Sequence, residues 1–196
     1  MRNQSVGAAT LFALIVLAGC EDRPAAPEAP TSPVAPQPPR PPQTDATFVH
    51  TVRDDVSGYY LPTSEIQVGT HRLDHIFLGQ GMEFDAWAGG ERSETFAPVM
   101  LQFDDVSSPM VANEIGEAHS VTVRVLPTAY AVTDDRVRFA GQSEALGVVS
   151  ADLRLDPEAL ATARRNLGSD AIVLTGTVQI GDRRFDDVTM RWWMGD

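Results

Sequence analysis

Apolar residues recur at every second position along much of the chain beyond residue 80, and no other feature limits its fold so tightly. Val121, Val123 and Val125 alternate with Thr122 and Arg124. Val137 and Phe139 alternate with Arg136 and Arg138, and Val149, Ala151, Leu153 and Leu155 with Ser150, Asp152 and Arg154. Side chains of a strand point to its two faces in turn, so each run predicts a strand with one face on a core and the other in water. Val99, Leu101 and Phe103 repeat the pattern after Pro98, and Met82, Phe84 and Ala86 repeat it before Gly89-Gly90. Residues 171–180 and 185–194 flank Gly181-Asp182-Arg183-Arg184. That predicts a hairpin in which Ile172, Leu174, Val178 and Ile180 face the same core as Val188, Met190, Trp192 and Met194.

One segment breaks the alternation. Asp156 suits an N-cap, Pro157 the first helical position, Glu158 the positive helix start and Gly168 the stop. Leu160, Ala163 and Leu167 then share a face, which predicts a short helix near 157–167 covering an end or open side of the strands. Residues 46–196, about 150 in all, suffice for one domain with a sizeable core. Many short strands between turn residues predict an all-β fold: an antiparallel β-sandwich, with a β-barrel as the alternative.

The first 45 residues are of another kind. Arg2 lies in a short polar start, an apolar run follows over 6–17, and small residues close it. The run is shorter than the roughly 20 apolar residues of a spanning helix, so it predicts a cleaved export signal over 1–19. Leu17-Ala18-Gly19-Cys20 resembles the lipobox of bacterial lipoproteins. The resemblance, confined to this amino-terminal stretch, implies cleavage before Cys20, a diacylglyceryl thioether on its thiol and acylation of the new amino terminus. Two or three acyl chains, at about 0.8 kcal/mol per buried CH₂, anchor stably where one is marginal. Cys20 is the only cysteine, so its lipidation leaves no disulfide, thiolate nucleophile or cysteine-ligated metal. In lipoproteins of bacteria with two membranes an aspartate directly after the cysteine favours retention at the inner membrane. This chain has Glu21 before Asp22, a departure that points to the outer membrane, facing the periplasm.

From Arg23 to about Thr44 the chain is rich in Pro, Ala, Gln and Glu. Residues 20–45 thus read as a lipidated cysteine followed by a semi-rigid polyproline spacer that builds no core. At about 3.1 Å per residue it holds the domain up to about 60 Å from the lipid. A net charge of −12, one unit more negative without Arg2, opposes a nucleic-acid partner. All 15 Lys+Arg residues are arginine, which excludes a P-loop, a Schiff-base amine and a Ser-x-x-Lys nucleophile.

Other constellations are weak. His71 and His75 share one face of a strand but lie about 13 Å apart there, with Asp74 on the other face, which argues against a metal site. The doublets Asp54-Asp55, Asp104-Asp105, Asp134-Asp135 and Asp186-Asp187 lack the Asp-x-Asp-x-Asp spacing of a calcium loop and suit turns. Gly141-Gln142-Ser143 lacks the second glycine of a nucleophile elbow, and nothing places His50 or His119 beside it. Gly79-Gln80-Gly81 lacks the third glycine of a dinucleotide loop. The aromatic residues Tyr59, Tyr60, Trp87 and Trp193 are the candidate partner-binding set, because strand parity aims some of these rings outward. Trp87 is out of phase with Met82, Phe84 and Ala86, and Trp193 with Val188, Met190 and Met194. The expectation is a lipid-anchored, non-catalytic envelope module without cofactor or metal, contacting an envelope protein or peptidoglycan. The alternative is a periplasmic carrier or sensor holding a small apolar ligand inside a β-barrel.

Overall fold

The computed structural model describes residues 47–113 and 116–195; Cys20, the export signal and the proline-rich spacer lie outside them. In chain order the elements are β1 (Phe48–His50), β2 (Gly58–Pro62), β3 (Gln67–Val68), β4 (His71–Leu78), α1 (Gly81–Ala88), β5 (Val99–Asp105), β6 (Met110–Asn113) and β7 (Gly116–His119). There follow β8 (Thr122–Val125), β9 (Pro127–Thr133), β10 (Arg136–Ser143), β11 (Gly147–Leu155), α2 (Pro157–Arg165), β12 (Ile172–Ile180) and β13 (Arg183–Trp193). One 11-stranded sheet runs in the order β1-β9-β10-β11-β12-β13-β2-β4-β5-β8, with β3 paired to β4, while β6 and β7 form a separate hairpin. Its pairings are antiparallel except that of β1 with β9.

Leu126 alone separates β8, at one end of that order, from β9, next to the other end. The sheet therefore curls until its ends share one stretch of chain. Gly141 of β10 abuts this corner: a Cβ there would lie 2.5 Å from the Leu126 carbonyl oxygen, so glycine is required. The fold is all-β with a short helix near 157–167, as expected. Of the two arrangements weighed, the single curled sheet is nearer the barrel than two facing sheets.

The alternation sorts the faces as predicted in the centre of the sheet. Val137 and Phe139 of β10, Val149, Ala151, Leu153 and Leu155 of β11, and Val99, Leu101 and Phe103 of β5 are all buried. Each such side chain contributes roughly 1.5–3 kcal/mol relative to exposure. Tyr60 and Tyr130 share this interior, and the Tyr60 hydroxyl donates to the Val56 carbonyl at 2.7 Å. Burial pushes the Tyr60 phenol well above its ordinary pKa. In α2 the Asp156 carboxylate accepts from the amides of Glu158 at 3.0 Å and Ala159 at 2.9 Å, while Leu160 and Ala163 cover the core.

Five local expectations are corrected. Met82, Phe84 and Ala86 belong to helix α1, not a strand: Gln80 caps it, its amide donating to Glu83 Oε2 at 2.7 Å, and Phe84 and Trp87, three apart, share the buried face. Leu167 is exposed because α2 ends at Arg165. The turn between β12 and β13 is the two residues Gly181-Asp182, with Gly181 at φ +54, a conformation such a tight turn requires of its first residue. A break in register between Ile172 and Leu174 accompanies a buried Val173 and an exposed Ile172; Met194, beyond the last strand, is exposed too. Val121 likewise precedes β8 and is exposed, so burial along 121–125 is graded.

Candidate functional site

The outward face of β13, β2, β4 and β5 carries a row of apolar side chains where alternation calls for polar ones. Trp193 pairs in register with Tyr59, Tyr59 with Phe77, and Phe77 with Met100. The Tyr59 ring lies 5.5 Å from that of Trp193 and 5.4 Å from that of Phe77, tilted by 50° and 55°. Phe96 closes on Phe77 at 5.7 Å. Trp193 is 41% exposed, Tyr59, Phe77 and Phe96 are half-buried, and Met100 is covered. Cross-strand aromatic pairs of this kind contribute about 0.5–1.5 kcal/mol beyond the area they bury.

A bulge in β4 shapes one flank of the row. Leu73 pairs with Phe103 and His75 with Gln102, which leaves Asp74 as the extra residue. The bulge sets Asp74 beside His75, Nδ1 to Oδ2 2.8 Å, and His75 meets the Tyr59 ring edge-on at 4.9 Å. A groove of about 340 Å³ adjoins the Trp193 end of the row, lined by Leu61, Gly168, Ser169, Asp170, Arg191, Trp192 and Trp193. Arg191 Nη1 donates to Asp170 Oδ1 at 2.8 Å within it.

A second groove, of about 680 Å³, lies between the 52–56 segment and α2, over an apolar floor of Val52, Val56, Leu155 and Leu160. Arg164 donates to the carbonyls of Asp55 at 2.8 Å and Ser57 at 3.2 Å and pairs with the Asp55 carboxylate. Burial raises the pKa of that carboxyl, but the Ser57 hydroxyl and amide and the Arg164 guanidinium outweigh it and hold it below the usual value. Across the groove the Arg53 amide donates to Asp134 at 2.9 Å. An adjoining hollow of about 300 Å³ reaches His50, whose ring stacks on Phe84 at 3.9 Å. Burial lowers the His50 pKa, with Asp85 partly opposing it.

Of the aromatic residues singled out in the sequence, Tyr59 and Trp193 come together and the other two do not. Tyr60 is fully buried, and Trp87 is 5% exposed in α1, against Phe48 and beneath the Arg92 guanidinium. The period-two reading aimed Trp87 outward; a helix turns it inward. His75, weighed in the sequence only as a metal ligand, and Phe77 were not joined to this set because the bulge at Asp74 breaks the parity of β4, and Phe96 lies outside any strand, between α1 and β5. Parity counted back from Leu78 alone would have put Phe77 outward.

The remaining motifs serve local structure. Among the described residues no three His, Cys, Asp or Glu side chains are grouped to hold a metal ion. Asp105 caps its own turn through Ser107, Asp186 pairs with Arg184, and Asp187 takes a positive φ of 55°. Ser143 Oγ accepts from the Ala145 amide at 3.3 Å, His119 Nδ1 lies 3.3 Å from the Ser108 carbonyl, and Gly79-Gln80-Gly81 forms the start of α1. Compared with protein-family models, curated proteins and solved structures, the chain matches none.

Proposed function

We propose that this chain is a lipid-anchored module of the bacterial cell envelope that docks an envelope protein or peptidoglycan on its outer aromatic face and carries out no catalysis. The observation that supports it is the Trp193–Tyr59–Phe77–Met100 row, contiguous and apolar on the water-facing side of the sheet. The amino-terminal sequence supplies the rest of the reading: Cys20 carries the lipid, and the proline-rich spacer presents the domain at a distance from the outer membrane, in the periplasm. Photo-crosslinking from intact cells tests the docking, with the reactive residue at Trp193, at buried Trp87 and in the spacer as controls. A discrete adduct from Trp193 alone is expected; equal labelling from all three positions overturns the reading. Cys20→Ser is expected to move the protein out of the membrane fraction or leave it as uncleaved precursor, and mature, membrane-bound protein would sink the anchor.

A carrier of small apolar ligands is the second reading, supported by the groove of about 680 Å³ beneath α2, within the size range of ligand sites. Because Tyr60, Tyr130, Phe103 and Leu101 fill inward positions, such a ligand would lie under α2 rather than at the centre of the sheet. An organic extract of the purified protein that contains a stoichiometric small molecule would favour this reading over docking.

A further inference from the structure

We infer that the groove at residues 168–170 and the row leading from it through Trp193 and Tyr59 to Phe77 form one continuous site for an uncharged oligosaccharide. This rests on the docking reading and gives its partner a chemistry. Trp193 is the joint: its ring is both an end of the groove and the first member of the row. From Trp193 on β13 to Phe77 on β4 the row crosses two strand spacings, roughly 10 Å, and the groove extends it, so it suits a chain of rings more than one ring.

The lining has the composition a sugar chain requires. A pyranose offers apolar C–H groups on its faces and hydroxyls around its rim. Trp193 and Tyr59 supply aromatic faces, and hydrogen-bonding groups of both kinds lie beside them. Asp170 uses Oδ1 to accept from Arg191, which leaves Oδ2 and further guanidinium N–H groups to meet hydroxyls. Ser169 Oγ accepts from the Ala171 amide at 3.2 Å and keeps its own hydrogen to donate. The guanidinium and carboxylate cancel in charge, and the chain's net charge of −12 disfavours a polyanion. Size argues in the same direction. A stable protein interface covers about 800 Å² per partner, more than a row one residue wide provides.

The test is isothermal titration calorimetry of the full chain in detergent micelles with tetramers of glucose and of N-acetylglucosamine. At least one tetramer is expected to bind saturably, at least about tenfold more weakly to Trp193→Ala and to within about threefold of normal with Trp193→Phe, which keeps a ring. Fluorescence gives a second readout, because Trp87 and Trp192 are 5% and 7% exposed and Trp193 is the tryptophan open to a ligand. No binding of either tetramer up to about 10 mM overturns the inference, as does binding indifferent to Trp193→Ala. If the sugars fail while the crosslinker at Trp193 captures a discrete protein, the docking reading stands and the oligosaccharide falls. If both fail, both fall.

Discussion

The outward positions of β10 and β11 and those of β13, β2 and β4 obey the same alternation with opposite chemistry. On β10 and β11 they carry Arg136, Arg138 and Asp152, where Arg136 Nε donates to Asp152 Oδ1 at 2.6 Å and Arg138 lies 3.6 Å from the same oxygen. On the other region one row of them carries Trp193, Tyr59 and Phe77, with Arg191 beside it. The inward faces of both regions are uniformly apolar. Core formation therefore explains the inner faces of both and the outer face of only the first. Solvated charges are what a water-facing strand surface acquires by default, and a contiguous apolar row there calls for a selective reason beyond folding.

Three changes break or sharpen this contrast. The largest effect should come from the face the two regions share: Leu153→Ala, at a fully buried position of β11, is expected to cost about 2–5 kcal/mol in denaturant unfolding, whatever lies outside. A double-mutant cycle of Tyr59→Leu and Trp193→Leu should give a coupling of about 0.5–1.5 kcal/mol; a value near zero would mean the rings meet without cooperating. The smallest effect belongs to the charged surface. Burial raises the Asp152 carboxyl, but Arg136 and Arg138 outweigh it and hold its pKa below the ordinary 3.8. The pair's contribution is thus whole above pH 3.8 and fades as pH falls through the folded value. Asp152→Asn is expected to lose about 0.2–1 kcal/mol near neutral pH and to flatten the acid limb of the stability curve.

How legible each region was in the sequence depends on whether its pairing is regular. From Val149 to Leu155 the register on β10 and β12 is unbroken on at least one side, so counting by twos gave every buried residue. Around Asp74 a single extra residue resets the count, and with it the outward placement of His75 and Phe77. Met82, Phe84 and Ala86 misled for another reason: three alternating residues fit a strand and a helix equally, and the deciding feature was the Gln80 and Glu83 cap. The Trp193–Tyr59 contact was out of reach of any local pattern, because it joins the two ends of the domain. The grooves were equally hidden, being made by loops and helices from distant parts of the chain.

Apart from β1 with β9, and β2 with β4 across the short β3, the β13–β2 pairing is where the large sheet joins strands that are not neighbours along its own chain order. Pairings elsewhere in the sheet close shorter stretches of chain, whereas this seam joins residues 59 and 193, the closure with the largest entropic cost. The aromatic row lies across that seam. Anything gripping both Tyr59 and Trp193 therefore acts as a clasp on the pairing that spans the longest stretch of chain. Its occupancy should be readable in the rate of unfolding as well as in affinity.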